Sequence, residues 1–338
     1  MENDFTREAI LQKPVAETTV RCHVCERRCV IPAGQVGWCR TRLNHAGTLL
    51  TTVYGAVSTM TANAIEKKPF YHFFPGTKTM TAGSWCCNFP CLWCRNWDIA
   101  HAPPPASGEF VSPKQFIDIA EESGCHGTAM SFNEPTLALE WILKVFSMAR
   151  ERGLYNTFVT NGYMTPEALA LLIQYGMDAM NVDINTDVNL ARRYLDGVDM
   201  ERIWMNCKLA LQSGIHVEIS TLVIPSLNDD DGILNQIARR IAVELGTEIP
   251  WHLSGYIPSY KFNAPTTPIS SLENAWQIGK GAGLKYVYIN LQGNRHENTE
   301  CPTCGTLLIR RLGAIVLSNV LHGGACPKCG TPIRGVWA

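Results

Sequence analysis

The sequence predicts an α/β protein built on a partial (β/α)6 barrel of the TIM type, with a small cysteine-rich metal-binding module at each end. Two observations predict this. In the middle of the chain, short β-branched or apolar runs alternate with amphipathic helical stretches, and Gly, Asn or Pro separates each pair. The 14 cysteines of the 338 residues fall mainly into three groups. Alternating strands and helices indicate parallel βα units, and grouped cysteines indicate metal sites.

Three segments follow from this pattern: a cysteine-rich segment at 1–76, the barrel at 77–292 and a zinc-ribbon-like module at 293–338. Within the barrel, Ser112 followed by Pro113 marks a helix start, because proline is favoured at the first helical position. Periodicity alone does not separate a barrel from an open doubly wound sheet, but about six βα repeats suit a partial barrel. The predicted elements are strand 77–84, helix 112–122, strand 127–133, helix 137–152, strand 155–161, helix 165–176, strand 179–185, helix 199–213, strand 216–225, helix 229–245, strand 250–258, helix 272–282 and strand 285–290.

Composition argues against two classes of partner. Lys and Arg number 29 against 30 Asp and Glu, so the net charge is -1 and no basic excess favours nucleic acid or an anionic membrane. The charged N-terminal stretch lacks the apolar run of a signal peptide, and no stretch approaches the ~18–20 apolar residues of a membrane span. The sequence therefore predicts a cytoplasmic protein with no nucleic-acid and no membrane partner.

Metal binding explains the cysteines better than disulfides do. Disulfide-dense chains are mostly small secreted domains, and nothing in this sequence directs export. Four cysteines lie within 22–39, four within 86–94 and four within 301–329. Cys125 and Cys207 stand alone in apolar surroundings, and we expect them to be buried small hydrophobes.

The central cysteines have the spacing of an iron-sulfur site. Cys87, Cys91 and Cys94 form a C-x3-C-x2-C motif directly after the first predicted strand. Three thiolates can hold three irons of a 4Fe-4S cluster and leave the fourth iron open, where the amino and carboxylate groups of S-adenosylmethionine (SAM) could bind. A zinc site with Cys86 as fourth ligand is the alternative, but adjacent cysteines rarely share one metal.

This motif resembles that of radical SAM enzymes, with an aromatic residue, Trp93, just before the last cysteine. The segment SFNEPT at 131–136 resembles the GGEP motif of the same family, which contacts the SAM amino group. Glu134 and the following proline match, while Phe132 and Asn133 replace the two glycines. The resemblance implies that Trp93, Asn133 and Glu134 lie at the cofactor. The alternative for Glu134 is a carboxylate that faces a helix N-terminus.

A third segment, NVDIN at 181–185, resembles the DxK motif of glycyl-radical-enzyme activases, in which the acid and the lysine lie next to SAM. Asp183 matches the acid, and Asn185 replaces the lysine. His252, predicted at the end of the sixth strand, resembles a SAM-adjacent histidine of activases. A buried core histidine beside Trp251 is the alternative. The resemblance implies that Asp183, Asn185 and His252 complete the cofactor site.

Polar residues recur at or near the predicted strand ends. The carboxyl ends of parallel strands lie on one face of a barrel or sheet, so we expect these residues to converge on one pocket. They are Asn133, Glu134, Asn161, Asp183, Asn185, Asn228 and His252.

The C-terminal cysteines predict a zinc ribbon. Cys301 and Cys304 form one C-x2-C knuckle, Cys326 and Cys329 form a second one, and 21 residues separate the two knuckles. A mononuclear iron site and an auxiliary 4Fe-4S cluster are the alternatives. We expect a small structural module that needs its metal to fold.

The N-terminal cysteines predict a second flanking metal site. Cys22, Cys25, Cys29 and Cys39 have C-x2-C-x3-C-x9-C spacing, and nearby arginines would offset the charge of four thiolates. Four thiolates fit zinc or an auxiliary cluster, and structural zinc is the preferred interpretation.

Several further segments extend the resemblance over nearly the full length: the N-terminal cysteine motif, EKKPFYHFFPG, NEPT, VTNGY, TLVIPSLND, IPWHLSGYIPSY and the terminal CPxC pair. Together they resemble the AmmeMemoRadiSam-system radical SAM enzymes, which are related to pyruvate formate-lyase activating enzymes. Cys86 stands where the family usually has glycine, and Asn185 where it has lysine. The resemblance implies SAM cleavage, hydrogen abstraction and a low-potential electron donor such as ferredoxin or flavodoxin. It leaves the substrate undefined, and we assign no catalytic residue.

Four functions are weighed against these observations: a glycyl-radical-enzyme activase, a radical enzyme acting on a peptide, protein or small molecule, a non-catalytic iron-sulfur electron carrier, and a zinc-ribbon nucleic-acid module. An electron carrier needs neither an open iron nor polar strand ends, and a nucleic-acid module should show a basic excess. The missing lysine at Asn185 argues against a plain activase. The sequence therefore favours the radical enzyme with an unidentified substrate.

Overall fold

The fold is given by a computed structural model that describes residues 5–337. Residues 1–4 and 338, at the outer ends of the predicted segments 1–76 and 293–338, lie outside the described residues. The prediction that no signal peptide is present rests partly on the first four of them. Within 5–337, no helix has the length and apolar character needed to cross a membrane.

Six short strands open the chain: β1 Arg7–Glu8, β2 Gln12–Ala16, β3 Thr19–Cys22, β4 Val30–Ile31, β5 Arg42–His45 and β6 Thr48–Thr51. They form two antiparallel sheets, in the orders β2-β3-β4 and β1-β6-β5. Their buried residues Val20, Ile31 and Leu49 belong to the same hydrophobic core as the barrel. The N-terminal segment therefore packs onto the barrel as part of one core.

Eight strands form the main sheet: β7 Thr59–Ala64, β8 Lys78–Gly83, β9 Gly127–Met130, β10 Tyr155–Thr160, β11 Ala179–Asp183, β12 His216–Val223, β13 Trp251–Gly255 and β14 Val287–Ile289. Their order is β14-β13-β12-β11-β10-β9-β8-β7. The parallel arrangement predicted for β8 to β14 is confirmed. The sheet has two edges, β7 and β14, so the barrel is partial, as predicted. The additional strand β7 pairs antiparallel with β8 and lies before residue 77, where the sequence places the start of the barrel.

The α-helices are α1 Trp97–Ala100, α2 Pro113–Glu122, α3 Leu139–Glu151, α4 Pro166–Gln174, α5 Val188–Tyr194, α6 Met200–Gln212, α7 Asp231–Arg240 and α8 Ile269–Gly281. Short 3-10 helices lie at Ile65–Lys67, Pro135–Ala138 and Arg295–Glu297, and a π-helical turn, Ile241–Leu245, continues α7. The predicted start of α2 is confirmed, because Ser112 Oγ accepts a hydrogen bond from Gln115 N at 3.1 Å. Helix α5 was not predicted, because only Ala191 of its seven residues is buried and no apolar period marks it.

Residues 65–76, between β7 and β8, run across the amino ends of the parallel strands, and we call them the floor segment. Asn181 Nδ2 of β11 donates to Pro69 O at 2.7 Å. The carboxylate of Glu218, near the start of β12, accepts hydrogen bonds from the backbone N–H groups of Tyr71 (3.1 Å) and His72 (2.8 Å). The floor segment therefore closes the end of the barrel opposite the carboxyl ends of its strands.

A three-stranded antiparallel sheet lies at the C-terminus: β15 Thr299–Glu300, β16 Leu307–Leu312 and β17 Ile315–Asn319. Its residues Leu308 and Ile309 pack in one hydrophobic cluster with Tyr71 and Tyr288. Arg311, which is buried, donates from Nη2 to Tyr71 O at 2.8 Å. The C-terminal module thus packs beneath the floor segment, far along the barrel axis from the strands' carboxyl ends.

Candidate active site

A cavity of about 540 Å³ lies at the carboxyl ends of β8 to β11. It is where a βα barrel gathers the loops that carry ligand-binding groups. Eight of the nine residues predicted to bind the cofactors line it: Cys87, Cys91, Trp93, Cys94, Asn133, Glu134, Asp183 and Asn185. Of the seven polar residues that the sequence expects to converge, Asn228 and His252 do not line this cavity, and five do: Asn133, Glu134, Asn161, Asp183 and Asn185.

The cysteine loop leaves β8 in a shape that its neighbours fix. Cys86 has a φ of 68°, in the left-handed region that favours glycine. The side chain of Asn133 holds both ends of this turn: Nδ2 donates to Cys86 O at 2.8 Å, and Oδ1 accepts from Ser84 N at 2.9 Å. Asn133 therefore positions the loop. Trp93, which is buried, packs edge-on against Phe262.

The three central thiols fit an iron-sulfur cluster. Burial raises the pKa of Cys87 to about 12 and raises the pKa of Cys91 well above its ordinary value. Buried thiols become thiolates readily only beside a cation, and cluster iron supplies that charge. Phe89 N donates to Cys87 Sγ at 3.5 Å, which is the kind of hydrogen bond that stabilises a cluster thiolate. The donor set and its surroundings therefore suit the predicted 4Fe-4S cluster.

Glu134 is a buried carboxylate held in a single position. Thr136 N donates to Oε1 at 3.1 Å, Asn161 N donates to Oε2 at 2.9 Å, and the Thr160 hydroxyl lies 2.8 and 2.9 Å from the two oxygens. The Thr136 hydroxyl also donates to Oε1. Burial raises the pKa of Glu134, and these hydrogen bonds oppose that rise. As the residue that precedes the 3-10 helix Pro135–Ala138, Glu134 also caps its N-terminus.

The carboxylate of Asp183 is free of hydrogen bonds to the described residues. Asp183 is the last residue of β11, and its backbone pairs with Ser220 of β12. Its side chain is exposed to the solvent that fills the cavity, and the walls of the cavity surround it. Burial, with a contribution from the charge of Glu134, raises the pKa of Asp183 to about 7. Asp183 is therefore available to a ligand in the cavity.

Asn185 borders the cavity, but its side-chain and backbone oxygens accept hydrogen bonds from residues at or after the end of the neighbouring strand. Its Oδ1 accepts from Leu222 N of β12 at 2.6 Å, and its backbone oxygen accepts from Asn228 Nδ2 at 2.7 Å. Asn228 also donates to Leu222 O at 2.8 Å. The two asparagines thus join the carboxyl ends of β11 and β12.

The position predicted for His252 is wrong. It is the second residue of β13, so it lies near the amino end of that strand and does not line the cavity. Its Nε2 lies 2.5 Å from a Glu218 oxygen, and its ring packs edge-on against Tyr71 of the floor segment. The strand is shorter than the predicted 250–258, since the ladder stops at Gly255. The alternative interpretation, a buried core histidine, matches this position.

The sequence did not single out Lys68, a buried cation that lines the cavity. It belongs to the floor segment, has 6% exposure and places its ammonium 4.2 Å from the centre of the Phe132 ring. Burial lowers its pKa to about 8, and no carboxylate of the described residues pairs with it. Phe132 itself has a φ of 75°, which keeps the glycine-like backbone of the motif. The signal for Lys68 is its place in the EKKPFYHFFPG block, which only the fold connects to the cavity.

The C-terminal cysteines are preformed as a metal site. Their four sulfurs lie within 4.8 Å of one another, with 3.5 Å between Cys301 and Cys329 and 3.7 Å between Cys304 and Cys326. This compactness is typical of a four-thiolate mononuclear site. The prediction of a metal-binding module is thus supported, and the identity of the metal stays a prediction.

The N-terminal cysteines gather beside the central loop. Cys22, Cys25 and Cys39 are buried, and Cys29 is half-buried. Cys39 packs in one cluster with Cys86. Their metal also stays a prediction. The two lone cysteines, Cys125 and Cys207, lie in the hydrophobic core, as predicted.

Comparison with known proteins agrees with the geometry. The family model described as the Radical SAM superfamily matches residues 85–237. The uncharacterized protein MJ0808 of Methanocaldococcus jannaschii is 37% identical over 332 residues, which cover 97% of this chain and 98% of that protein.

Two solved structures share the fold. A radical SAM methyltransferase from Sphaerobacter thermophilus is 17% identical, with a TM-score of 0.50 over 70% of this chain and 71% of that one. SuiB of Streptococcus suis is 13% identical, with a TM-score of 0.50 over 68% of this chain and 52% of that one. At such low sequence identity, these two similarities support a shared fold and nothing further. From the matched family model, the near full-length relative and the site geometry, this chain belongs to the radical SAM superfamily and shares its family with MJ0808.

Proposed function

We propose that this protein is a radical SAM enzyme that reductively cleaves SAM and abstracts hydrogen from a peptide, protein or small-molecule substrate. One observation carries the proposal: Cys87, Cys91 and Cys94 share a single cavity with the carboxylates of Glu134 and Asp183. We also propose that the protein is an AmmeMemoRadiSam-system radical SAM enzyme and that it acts in the cytoplasm.

When bound, the 4Fe-4S cluster would supply one electron to SAM, whose carbon-sulfur bond then breaks to give methionine and a 5′-deoxyadenosyl radical. The protein's part is to hold three irons through Cys87, Cys91 and Cys94 and to leave one iron for SAM. The hydrogen bond from Phe89 N and the turn held by Asn133 keep these ligands in place.

The polar groups of the cavity match the charged groups of SAM. Glu134, fixed by four donors, offers negative charge to an ammonium group. Asp183, whose carboxylate has no hydrogen-bond partner within residues 5–337, suits a pair of ribose hydroxyls. Lys68, whose ammonium pairs with no carboxylate in the described part of the chain, suits the carboxylate of the ligand. This assignment leaves the open mouth of the cavity for the substrate.

Two alternatives have weaker support. A non-catalytic electron carrier has no need of a polar cavity of about 540 Å³ next to its cluster. For a glycyl-radical-enzyme activase, position 185 would be expected to supply a lysine to the cavity, whereas the Asn185 amide binds β12. The proposed electron donor is a low-potential protein such as ferredoxin or flavodoxin. For the C-terminal cysteines we propose structural zinc, supported by their compact geometry.

The test is SAM cleavage by anaerobically reconstituted protein with dithionite. We expect 5′-deoxyadenosine and methionine from the wild type, and a loss of at least about 100-fold in Cys91→Ala, because an incomplete set of thiolates cannot hold the cluster. Cys125→Ala, which changes a cysteine outside all three groups, is the matched control and should keep the activity. The proposal fails if the wild type forms no 5′-deoxyadenosine or if Cys91→Ala forms as much as the wild type.

A further inference from the structure

The thiol spacings differ between the flanking cysteine groups. Tetrahedral zinc with Zn–S bonds of about 2.3 Å places its sulfurs about 3.8 Å apart. The C-terminal group has this spacing, at 3.5 and 3.7 Å. Among residues 5–337, it is the one cysteine group in which three or more sulfurs lie within 4.8 Å of one another. In neither the N-terminal group nor the central group do three sulfurs lie this close together.

The N-terminal cysteines are nevertheless one site. Cys22 N donates to Cys29 O at 2.9 Å, which closes the loop that carries Cys25. Trp38 N donates to Cys29 Sγ at 3.4 Å and so brings the neighbouring Cys39 to the same loop. A wide arrangement of four thiols around one loop fits a cluster of several metal ions better than a single ion.

Two buried N–H donors beside this group lack acceptors. Arg42 is 1% exposed and Asn88 0% exposed, yet Arg42 Nε and Asn88 Nδ2 have no hydrogen-bond partner among the described residues. A buried donor without an acceptor costs about 1–3 kcal/mol. The sulfides and thiolates of a cluster accept such hydrogen bonds.

Both residues contact the segment that carries the thiols. Arg42 O accepts a hydrogen bond from Gly37 N at 2.8 Å, and the next residue, Trp38, donates from its backbone N–H to Cys29 Sγ at 3.4 Å. Asn88 O accepts from the Nε of Arg27, two residues after Cys25, at 2.8 Å. Two buried donors without acceptors therefore lie on residues that adjoin the N-terminal cysteine loop.

We propose that Cys22, Cys25, Cys29 and Cys39 bind a second 4Fe-4S cluster rather than the zinc that the sequence favours. Arg42 and Asn88 would donate hydrogen bonds to its sulfurs. The buried salt bridge of Arg42 with Glu140, at 2.6 Å, holds the guanidinium in place. This inference does not depend on SAM cleavage.

Metal analysis of the full chain, reconstituted anaerobically with iron, sulfide and zinc, tests the proposal. We expect about eight irons and one zinc per wild-type chain, and about four irons and one zinc in the triple variant Cys87→Ala/Cys91→Ala/Cys94→Ala. The reduced triple variant should show the EPR signal of a 4Fe-4S cluster. A wild type with about four irons, whether with one zinc or two, overturns the proposal.

Two further variants test the assignment, one as a control for the metal counts and one for the proposed hydrogen-bond donor. Cys125→Ala/Cys207→Ala removes two cysteines outside the three groups and should leave both metal counts unchanged. Arg42→Met keeps all four ligands but removes a donor, and we expect the EPR signal of the N-terminal cluster in the triple-variant background to shift. An iron-free triple variant that retains about two zincs per chain would show that the N-terminal group holds zinc.

Discussion

Two residues at the candidate site, neither of them glycine, have a left-handed backbone conformation that favours glycine. Cys86 and Phe132 have φ values of 68° and 75° and stand where the resembling motifs have glycine. A left-handed conformation costs a non-glycine residue about 1–2 kcal/mol. Burial of Cys86 and the contact of Phe132 with the Lys68 ammonium offset that cost. The loops therefore keep their backbone shape, while the side chain of Phe132 becomes part of the cavity wall.

The buried charge of Lys68 should destabilise the protein without SAM, and bound SAM should restore this stability. Its pKa in the folded protein, about 8, lies below the ordinary 10.5, so folding disfavours the charged form. The destabilisation is complete below pH 8 and disappears as the pH rises toward 10.5. We expect Lys68→Met to raise the free energy of unfolding by about 2–3 kcal/mol at pH 7 and by much less at pH 10. Urea unfolding of protein without SAM at both pH values measures this.

The same substitution should weaken ligand binding. Lys68→Met removes the cation proposed for the carboxylate, so we expect SAM affinity to fall about tenfold at pH 7. Lys67→Met, which changes the exposed neighbour, is the stability control and should change the unfolding free energy by less than about 0.5 kcal/mol. An equal stability gain in both variants, or unchanged SAM affinity in Lys68→Met, would contradict a ligand-binding role for Lys68.

At the level of elements, all seven parallel strands could be predicted, because each is a short apolar run that a helix follows or precedes. The ends of these strands could not be predicted. A strand buried on both faces shows no alternation of polar and apolar residues, so the sequence does not mark where its pairing with the next strand stops. His252 was misplaced for a different reason: it lies near the start of both the predicted strand, 250–258, and the observed one, and only the resemblance to an activase histidine put it at the strand's end. Strand β7 and the floor segment lack a clear periodic pattern. The role of the floor segment also depends on contacts with strands more than 100 residues away, such as that of Tyr71 N with Glu218.

Glu218 holds the floor segment to the sheet, and its loss should open that end of the barrel. Burial alone would raise its pKa, but hydrogen bonds from His216 and His252 hold the pKa well below its ordinary value. The stabilisation is therefore present above about pH 4.5 and lost as the pH falls below it. We expect Glu218→Gln to lower the free energy of unfolding by about 3 kcal/mol at pH 7, because the amide nitrogen cannot accept the donors that face it.

Hydrogen-deuterium exchange should locate this effect. In Glu218→Gln we expect faster exchange at Tyr71 and His72, whose N–H groups lose their acceptor, and little change in the cysteine loop. Glu121→Gln breaks an exposed ion pair with Arg152 and serves as the matched control, with a change within about 0.5 kcal/mol. A change of similar size in the control, or unaltered exchange in the floor segment, would count against this role.

In the whole molecule, the three cysteine groups occupy different places along the barrel. The C-terminal group lies beyond the floor segment, where Arg311 contacts Tyr71 O. The N-terminal group lies at the opposite end, where Cys39 packs against Cys86. The spacing of the cysteines and the place of the central group at the cavity could be read from the sequence. The place of the N-terminal group beside the central loop could not, because it depends on how the N-terminal sheets pack onto the core.

The N-terminal group also connects the surface to the central cysteine loop. Trp38, next to Cys39, is 38% exposed and covers Arg27, and Arg27 Nε donates to Asn88 O at 2.8 Å, directly after Cys87. If a second cluster lies there, an electron from a protein donor would have a short route to the central site. Such a route is needed only when the donor is too large to enter the cavity.

We therefore expect Cys29→Ala to slow SAM cleavage by about tenfold or more when reduced flavodoxin supplies the electrons, and to leave it within about twofold when dithionite does. Dithionite is small enough to reduce the central cluster through the cavity mouth, so it tests whether that cluster is intact. The measurement is the initial rate of 5′-deoxyadenosine formation with each reductant, with Cys125→Ala as the matched control. Equal slowing with both reductants would point to damage at the central site, and equal rates with flavodoxin in Cys29→Ala and the wild type would exclude the N-terminal group from the electron's route.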